Sequence, residues 1–348
     1  MYSKEAGHLH QTIGLEETNP LLILCGIRDP LDYNVNMHTN KTSSGKEALA
    51  VDTEAGVKSL SHERYMEFVK QAQPDLCLTM ADEIVKSTGK NRSRKALKRT
   101  SQWLQQSVLA FEESANKQET DEDKGNVKGD FGSVGLVGSI VTSDNLDENA
   151  KIAKAAVEVC SDSVVGYAIT GLGLGESDSF RNETLRAINS QLPKTKFRYA
   201  SGSVSTPVEI LQAVESGIDI VDTTFVNQLT SAGMAMVFDI GDGEASISEK
   251  DIHANMSLNL WSAEYVNDQR PLKPGCACYA CSNAFTRGYI RHLLECGELL
   301  AEVLLEMHNT HHMMRFMKTI RNKINEGQFS KYMHSFQDEM KVVQQKQR

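Results

Sequence analysis

The 348 residues contain no run of 18 apolar residues, and the opening stretch MYSKEAGHLHQTIGLEETN lacks the apolar core of a secretory signal. Neither a membrane span nor a secreted destination is expected, and the chain reads as a soluble intracellular protein. Positive charge is also short: 37 Lys and Arg against 46 Asp and Glu leave a net charge of −9, so the surface as a whole will not attract nucleic acid. The seven cysteines are an odd number. Cys25, Cys77, Cys160 and Cys296 lie singly in apolar or helical contexts, where a reduced thiol packs as a small hydrophobe, which points to the cytoplasm rather than to a disulfide framework. No G-x-G-x-x-G follows an early strand. The nearest candidate, GLGLGES (171–177), lies in mid-chain with the wrong glycine spacing, which counts against a dinucleotide-binding fold.

What is present alternates regularly. PLLILC (20–25), DLCLTM (75–80), VGLVGSIV (134–141), SVVGYAI (163–169), FRYASG (197–202) and GIDIVDTTF (217–225) are short apolar runs that fit buried strands of a parallel sheet. Between them the spacing turns helical. SHERYMEFVKQAQ (61–73) sets Tyr65, Phe68 and Ala72 on one face behind a Ser61 cap; KALKRTSQWLQQSVLAF (95–111) repeats this with Leu97, Leu104 and Val108; and STPVEILQAVES (205–216) carries Pro207 in its first turn. Strand–helix alternation at this rhythm predicts an α/β fold of the (β/α)8 TIM-barrel type. Six strands are legible. The other two are expected in a short or divergent region covering the first 60 residues, or after Met234. NKQETDEDKGNVKGD (116–130) reads as an exposed loop, and IGDGEASISEK (240–250) as a shorter one.

From Ile84 to Phe111 no acidic residue occurs, while Lys86, Lys90, Arg92, Arg94, Lys95, Lys98 and Arg99 crowd the front of that window. Such a run is either a solvated helix start or a phosphate-contacting patch. After Pro274 the rhythm changes. GELLAEVLLEMHNTHHMMRFMKTIRNKINEG (297–327) reads as one long helix with Leu300, Val303, Leu304, Met307, Met314, Met317 and Ile320 on a broad apolar stripe, ended by Gly327. The expected organisation is a barrel over 1–273, a helical subdomain over 274–330 that opens on a cysteine-rich stretch, and a tail over 331–348 whose end KVVQQKQR (341–348) is frayed.

PGCACYACSN places Cys276, Cys278 and Cys281 within six residues, too crowded to close useful disulfide loops and well spaced for one ion. Three soft thiolates from one loop need a fourth ligand to complete a tetrahedral zinc site, and the long helix offers His308, His311 and His312. His308 comes first, and His311 and His312 read as surface or packing residues. Three thiolates and an imidazole would hold one Zn2+ in a closed, structural site with no open position for substrate.

The stretch CACYACSNAFTRGYIRHLLECGELLAEVLLEMHN (276–309) resembles the zinc-binding C-terminal region of the tRNA-guanine transglycosylases: C-x-C-x-x-C-x-N, then R-x-Y-x-x-H-L, then a helix ending in H-N. GYAITGLGLGES resembles that family's G-Y-A-I-G-G-L-x-x-G-E loop, FRYASGSVSTPVEILQAVESGIDIVD its R-Y-x-x-G-x-G-x-P helix and following G-V-D-x-F-D, and LCLTMADEI the strand carrying a base-recognising aspartate. The resemblance covers roughly residues 60–330 in the family's order. It implies a (β/α)8 barrel, zinc ligation by Cys276, Cys278, Cys281 and His308, Asp222 at the position of the nucleophile that attacks the anomeric carbon, and Asp82 and Gly171 at substrate-binding positions.

Departures from the pattern are as informative. The family's D-S-G-G-F-Q, which carries the second carboxylate, has no counterpart in RDPLDYNVNMHTNKTSSGKEA (28–48). TFVNQL (224–229) replaces its P-T-R, GLVGSIV replaces its G-I-V-Q-G-G strand, and Thr170 stands where a glycine would precede Gly171. Loss of catalytic groups with retention of barrel and zinc resembles the family's non-catalytic members. These imply a heterodimer with a catalytic paralogue, the pair binding tRNA and exchanging guanine for queuine at wobble position 34 of GUN anticodons. The alternative is an active transglycosylase using Asp222. The resemblance also carries an expectation of peripheral attachment to the mitochondrial outer membrane, without an integral span.

Overall fold

A computed structural model describes residues 9–15, 21–29, 39–41, 47–51, 56–85, 89–120, 131–160, 162–202, 206–241 and 257–346. Contacts divide the chain into two compact units: residues 1–204 with 216–222, and residues 205–215 with 223–348. The division differs from the expected boundary near 273, because the helix Pro207–Glu215 and everything after Asp222 cluster with the C-terminal elements.

The first unit is built on a six-stranded sheet whose strands follow chain order: Leu24–Cys25, Leu76–Leu78, Gly135–Val141, Gly166–Thr170, Phe197–Ala200 and Ile220–Val221. Every pairing is parallel, with Leu24 opposite Leu76, Leu78 opposite Val137, Ile140 opposite Ile169, Ala168 opposite Tyr199 and Ala200 opposite Val221. All six apolar runs named above therefore become strands, each added to the same growing edge. This is the order of a (β/α)8 barrel, of which six strands lie among the described residues. Among the described residues, none after Met234 extends this sheet: Met234–Met236 pairs antiparallel with Ser257–Asn259. An antiparallel sheet of Thr39–Lys41, Glu47–Val51 and Lys58–Ser61 occupies the connection between the first two parallel strands.

Side chains two apart on a strand share a face. Leu24, Leu76, Leu78, Val137, Ala168, Phe197 and Tyr199 form one apolar cluster on the sheet. One step further along, Ser139, Thr170 and Ser201 take over at the C-terminal ends. The face that is apolar toward the strand N-termini thus becomes polar where the strands end.

The helices follow from caps and spacing. His62–Ala72 begins behind Ser61, whose hydroxyl accepts from the Arg64 N–H at 3.3 Å, and it buries His62, Tyr65, Met66, Val69 and Ala72. Phe68, expected on that face, is only half-buried, and Val69 takes its place. Lys90–Thr120 is longer than its pattern suggested and runs through residues 116–120 of the expected loop; residues 121–130 lie outside the described residues. The loop expected at 240–250 likewise falls outside them after Gly241.

In the second unit, Leu299–Asn325 buries Ala301, Leu304, Leu305, His308, His312, Phe316 and Ile320 along one seam. The expected single stripe splits. Leu304 and Ile320 are buried, whereas Leu300, Val303, Met307 and Met314 are exposed on another face. The described residues of the tail expected at 331–348 form a helix, Phe329–Lys346. Its Met333, Phe336 and Met340 are buried, Phe336 packs on Phe238 and Phe316, and the Tyr332 hydroxyl donates to the Ile240 carbonyl. Among the described residues no helix is long and apolar enough to cross a membrane.

Candidate functional site

The three cysteines sit on a short loop and one helical turn. Cys278 caps the helix Tyr279–Ser282, and its sulfur accepts from the Cys281 N–H at 3.4 Å. His308 reaches the loop from the middle of the long helix. Its Nδ1 lies 3.8 Å from Cys276 Sγ, 3.3 Å from Cys278 Sγ and 3.5 Å from Cys281 Sγ. All four ligand atoms lie within 4.8 Å of one another, so the group could hold a metal ion.

A tetrahedral ion with bonds of about 2.3 Å to sulfur and about 2.0–2.1 Å to nitrogen separates S from N by about 3.6 Å. The observed distances bracket that value, and the donor set is compatible with zinc. The orientation is fixed from behind: His308 Nε2 lies 2.8 Å from the Met236 carbonyl, an arrangement that puts the proton on Nε2 and leaves the Nδ1 lone pair toward the sulfurs. Hydrogen bonds from the Cys276 and Cys281 thiols hold the Cys278 pKa below the usual thiol range, which favours its thiolate.

Asn309, beside His308, anchors the helix. Its Oδ1 accepts from the Met236 N–H at 2.7 Å, and its Nδ2 donates to the Met234 carbonyl at 3.0 Å and to Thr230 Oγ1 at 3.1 Å. His311 and His312 take no part in the cluster. His312 is buried edge-on to Phe238, and burial holds its pKa well below the usual histidine range.

The first unit contains a cavity of 270 Å3 at the C-terminal ends of its parallel strands, lined among others by Arg28, Glu83, Ser139, Thr170, Tyr199 and Asp222. This is the end of a (β/α) barrel where active sites are built. Asp222 follows the last strand and accepts from the Tyr199 hydroxyl at 2.5 Å and from the Gly202 N–H. Burial raises its pKa, opposed by those two hydrogen bonds and by the Arg28 charge. Gly171, left-handed at φ 76°, donates its N–H to Glu83 at 3.0 Å, and Arg28 pairs with the same carboxylate at 2.6 Å. Burial also raises the Glu83 pKa, against the pull of Arg28.

Asp82, expected at the base-recognition position, does not line this cavity. It is fully buried and grips Arg92 through both oxygens, at 2.8 and 2.5 Å, and Arg99 as well; Arg99 in turn reaches Glu47 at 2.8 Å. Its neighbour Glu83 is the acid that faces the cavity. The basic run therefore divides. Arg92 and Arg99 turn inward to Asp82, whereas Lys90, Arg94 and Lys98, four residues apart, are exposed together with Lys95. Lys86 lies outside the described residues.

Arg28, Tyr199 and Glu83 escaped the sequence reading. Alternation along FRYASG marks Tyr199 and Ser201 as sharing a sheet face, but nothing local announces that Arg28 points back over the strand ends.

A parallel sheet of this order, a cavity at its strand ends and a Cys3His cluster define a (β/α)-barrel protein with a candidate metal centre. The family model for queuine tRNA-ribosyltransferase matches residues 2–342, and the chain belongs to that family. Relatives named queuine tRNA-ribosyltransferase accessory subunit 2 align over most of it. The Aedes aegypti protein is 27% identical over 340 residues, covering 95% of this chain and 73% of the relative. The Homo sapiens protein is 29% identical over 343 residues, covering 90% and 76%. The Ixodes scapularis protein is 37% identical over 195 residues, covering 53% and 48%.

Proposed function

We propose that this chain is the non-catalytic subunit of a heterodimeric queuine tRNA-ribosyltransferase, supporting tRNA binding and pairing with a catalytic subunit that exchanges guanine for queuine at wobble position 34 of GUN anticodons. The observation that carries this reading is the state of the cavity acids. Asp222 already accepts from Tyr199 and Gly202, and Glu83 is paired with Arg28, so both cavity carboxylates are engaged within the chain. Base exchange needs a second, proton-handling group beside the attacking carboxylate. The D-S-G-G-F-Q acid that would supply it is missing from the sequence.

The Cys276, Cys278, Cys281 and His308 cluster holds one structural Zn2+ that fixes the cysteine loop to the long helix. It has no open position and plays no part in the exchange. The face of that helix bearing Leu299, Leu300, Val303, Met307 and Met314, from 41% to 73% exposed, is the surface a partner would cover. Lys90, Arg94 and Lys98 supply a local positive row on an acidic protein, suited to tRNA phosphates. The complex works in the cytoplasm, peripherally at the mitochondrial outer membrane where attached.

A second reading is favoured by the place of Asp222 in the cavity: an active transglycosylase in which Asp222 attacks. Replacing Asp222 by alanine in the reconstituted heterodimer separates the two. Exchange of labelled base into tRNA stays within about twofold of wild type if the chain is accessory, and an order-of-magnitude loss supports the alternative.

A further inference from the structure

Two cysteines meet outside the metal cluster. The register of the first two parallel strands sets Cys25 directly opposite Cys77. Residues paired in this way share a face of the sheet, and neighbouring strands lie about 4.8 Å apart, inside the range of about 4.4–6.8 Å that a disulfide spans between Cα atoms. Leu24, Leu76 and Leu78 belong to the apolar cluster on one face, so alternation turns both thiols to the other. The helix His62–Ala72 covers them there with Tyr65, 3% exposed, whose hydroxyl donates to the Leu78 carbonyl at 2.7 Å. Both cysteines are free.

The two thiols are not equivalent. Cys77 is 0% exposed, and burial lifts its pKa far above the usual thiol range. Cys25 is only partly buried; burial raises its pKa as well, and the Tyr65 hydroxyl, hydrogen-bonded to the thiol, pulls the other way. An external reagent therefore meets Cys25, with Cys77 held one strand behind it. Buried strands of a parallel sheet are ordinarily filled by Val, Ile and Leu. Two cysteines in register give up that bulk, and they stand where a covalent bond would join a two-residue edge strand to its neighbour.

We infer that Cys25 and Cys77 form a reversible dithiol–disulfide site that takes a low-molecular-weight disulfide as its oxidant. The Cys25 thiolate attacks one sulfur of that disulfide, the S–S bond breaks, and one half leaves as a thiolate that takes up the proton Cys25 lost. Cys77, giving up its own proton in turn, attacks the Cys25 sulfur and expels the second half, which is protonated. Two protein thiols are oxidised, and one disulfide is reduced to two thiols. The closed bridge clasps Leu24–Cys25 to Leu76–Leu78 and ties off the intervening chain, which carries the antiparallel sheet Thr39–Lys41, Glu47–Val51 and Lys58–Ser61.

The test is treatment of the purified full chain, in the presence of zinc, with excess glutathione disulfide at about pH 8, near the ordinary thiol pKa, followed by N-ethylmaleimide, digestion and mass spectrometry. Wild type is expected to yield a peptide pair linked through Cys25 and Cys77 that dithiothreitol separates. Cys77→Ser is expected to stop with glutathione on Cys25, and Cys25→Ser to leave Cys77 unmodified. Glutathione retained on Cys25 of wild type as fully as in Cys77→Ser overturns the inference. So does a wild type in which neither residue is modified although both react once the chain is unfolded in guanidinium chloride. If a serine variant does not fold, alanine at the same position is read the same way, and wild type alone decides whether the bridge closes. Base exchange takes no part in the measurement, so its result is separate from the accessory reading.

Discussion

Replacing Asp82 by alanine separates a structural aspartate from a base-reading one. The side chain is fully buried and is bound by two arginines, Arg92 at 30% and Arg99 at 9% side-chain exposure. Removing one partner of a buried pair costs about 3–5 kcal/mol, because the remaining charge is left uncompensated. Arg92 is exposed enough to recover part of its hydration, and Arg99 keeps Glu47 at 2.8 Å, so the lower end applies and the loss is about 3 kcal/mol. The N–H of residue 82 keeps its bond to the Thr100 hydroxyl at 3.0 Å, which confines the damage to the carboxylate. For a unit of roughly 210 residues a change of that size lowers the melting temperature by about 6–12 °C. Differential scanning calorimetry of the variant, with salt and pH fixed, measures it. Exchange by the heterodimer, assayed below the new transition, is expected to hold. An unchanged melting temperature would refute the assignment of Asp82 to the arginine cluster, and loss of tRNA exchange at full stability would return it to substrate recognition.

Cys278→Ser is expected to release the metal, read as a fall from one equivalent per chain to none by elemental analysis, and to loosen the unit holding Met234–Met236 and the long helix. Retention of one equivalent would disprove the ligand set. The double reversal Arg94→Glu/Lys98→Glu is expected to weaken tRNA binding by the heterodimer and to flatten its salt dependence by about 0.7–0.9 in log–log slope for each phosphate no longer neutralised. Unchanged affinity and slope would remove these residues from the tRNA surface.

The features legible in the sequence are those fixed by local spacing. Six parallel strands could be read because each is a short apolar run bounded by helical pattern, and the metal cluster because three ligands share one loop and the fourth lies on a strongly periodic helix. What escaped depends on where a side chain points after the chain has turned back. Arg92 and Arg99 look like parts of a basic surface until the helix starting at Lys90 folds them against Asp82, ten and seventeen residues earlier. Arg28 follows the first strand in an ordinary-looking turn, and only closure of the sheet brings it to Glu83, 55 residues away. The exposed face of Leu299–Asn325 was merged with its buried face because apolar residues occupy both. The helix Phe329–Lys346 was missed because its polar composition hides the spacing of Met333, Phe336 and Met340.

The most direct measurement is exchange of labelled guanine or queuine into cognate tRNA by this purified chain, first alone and then with a catalytic subunit added. No turnover alone, together with activity of the mixture beyond that of the catalytic subunit by itself, is the expected result. Turnover by the chain alone, abolished by Asp222→Ala, would contradict it and make this barrel an enzyme in its own right.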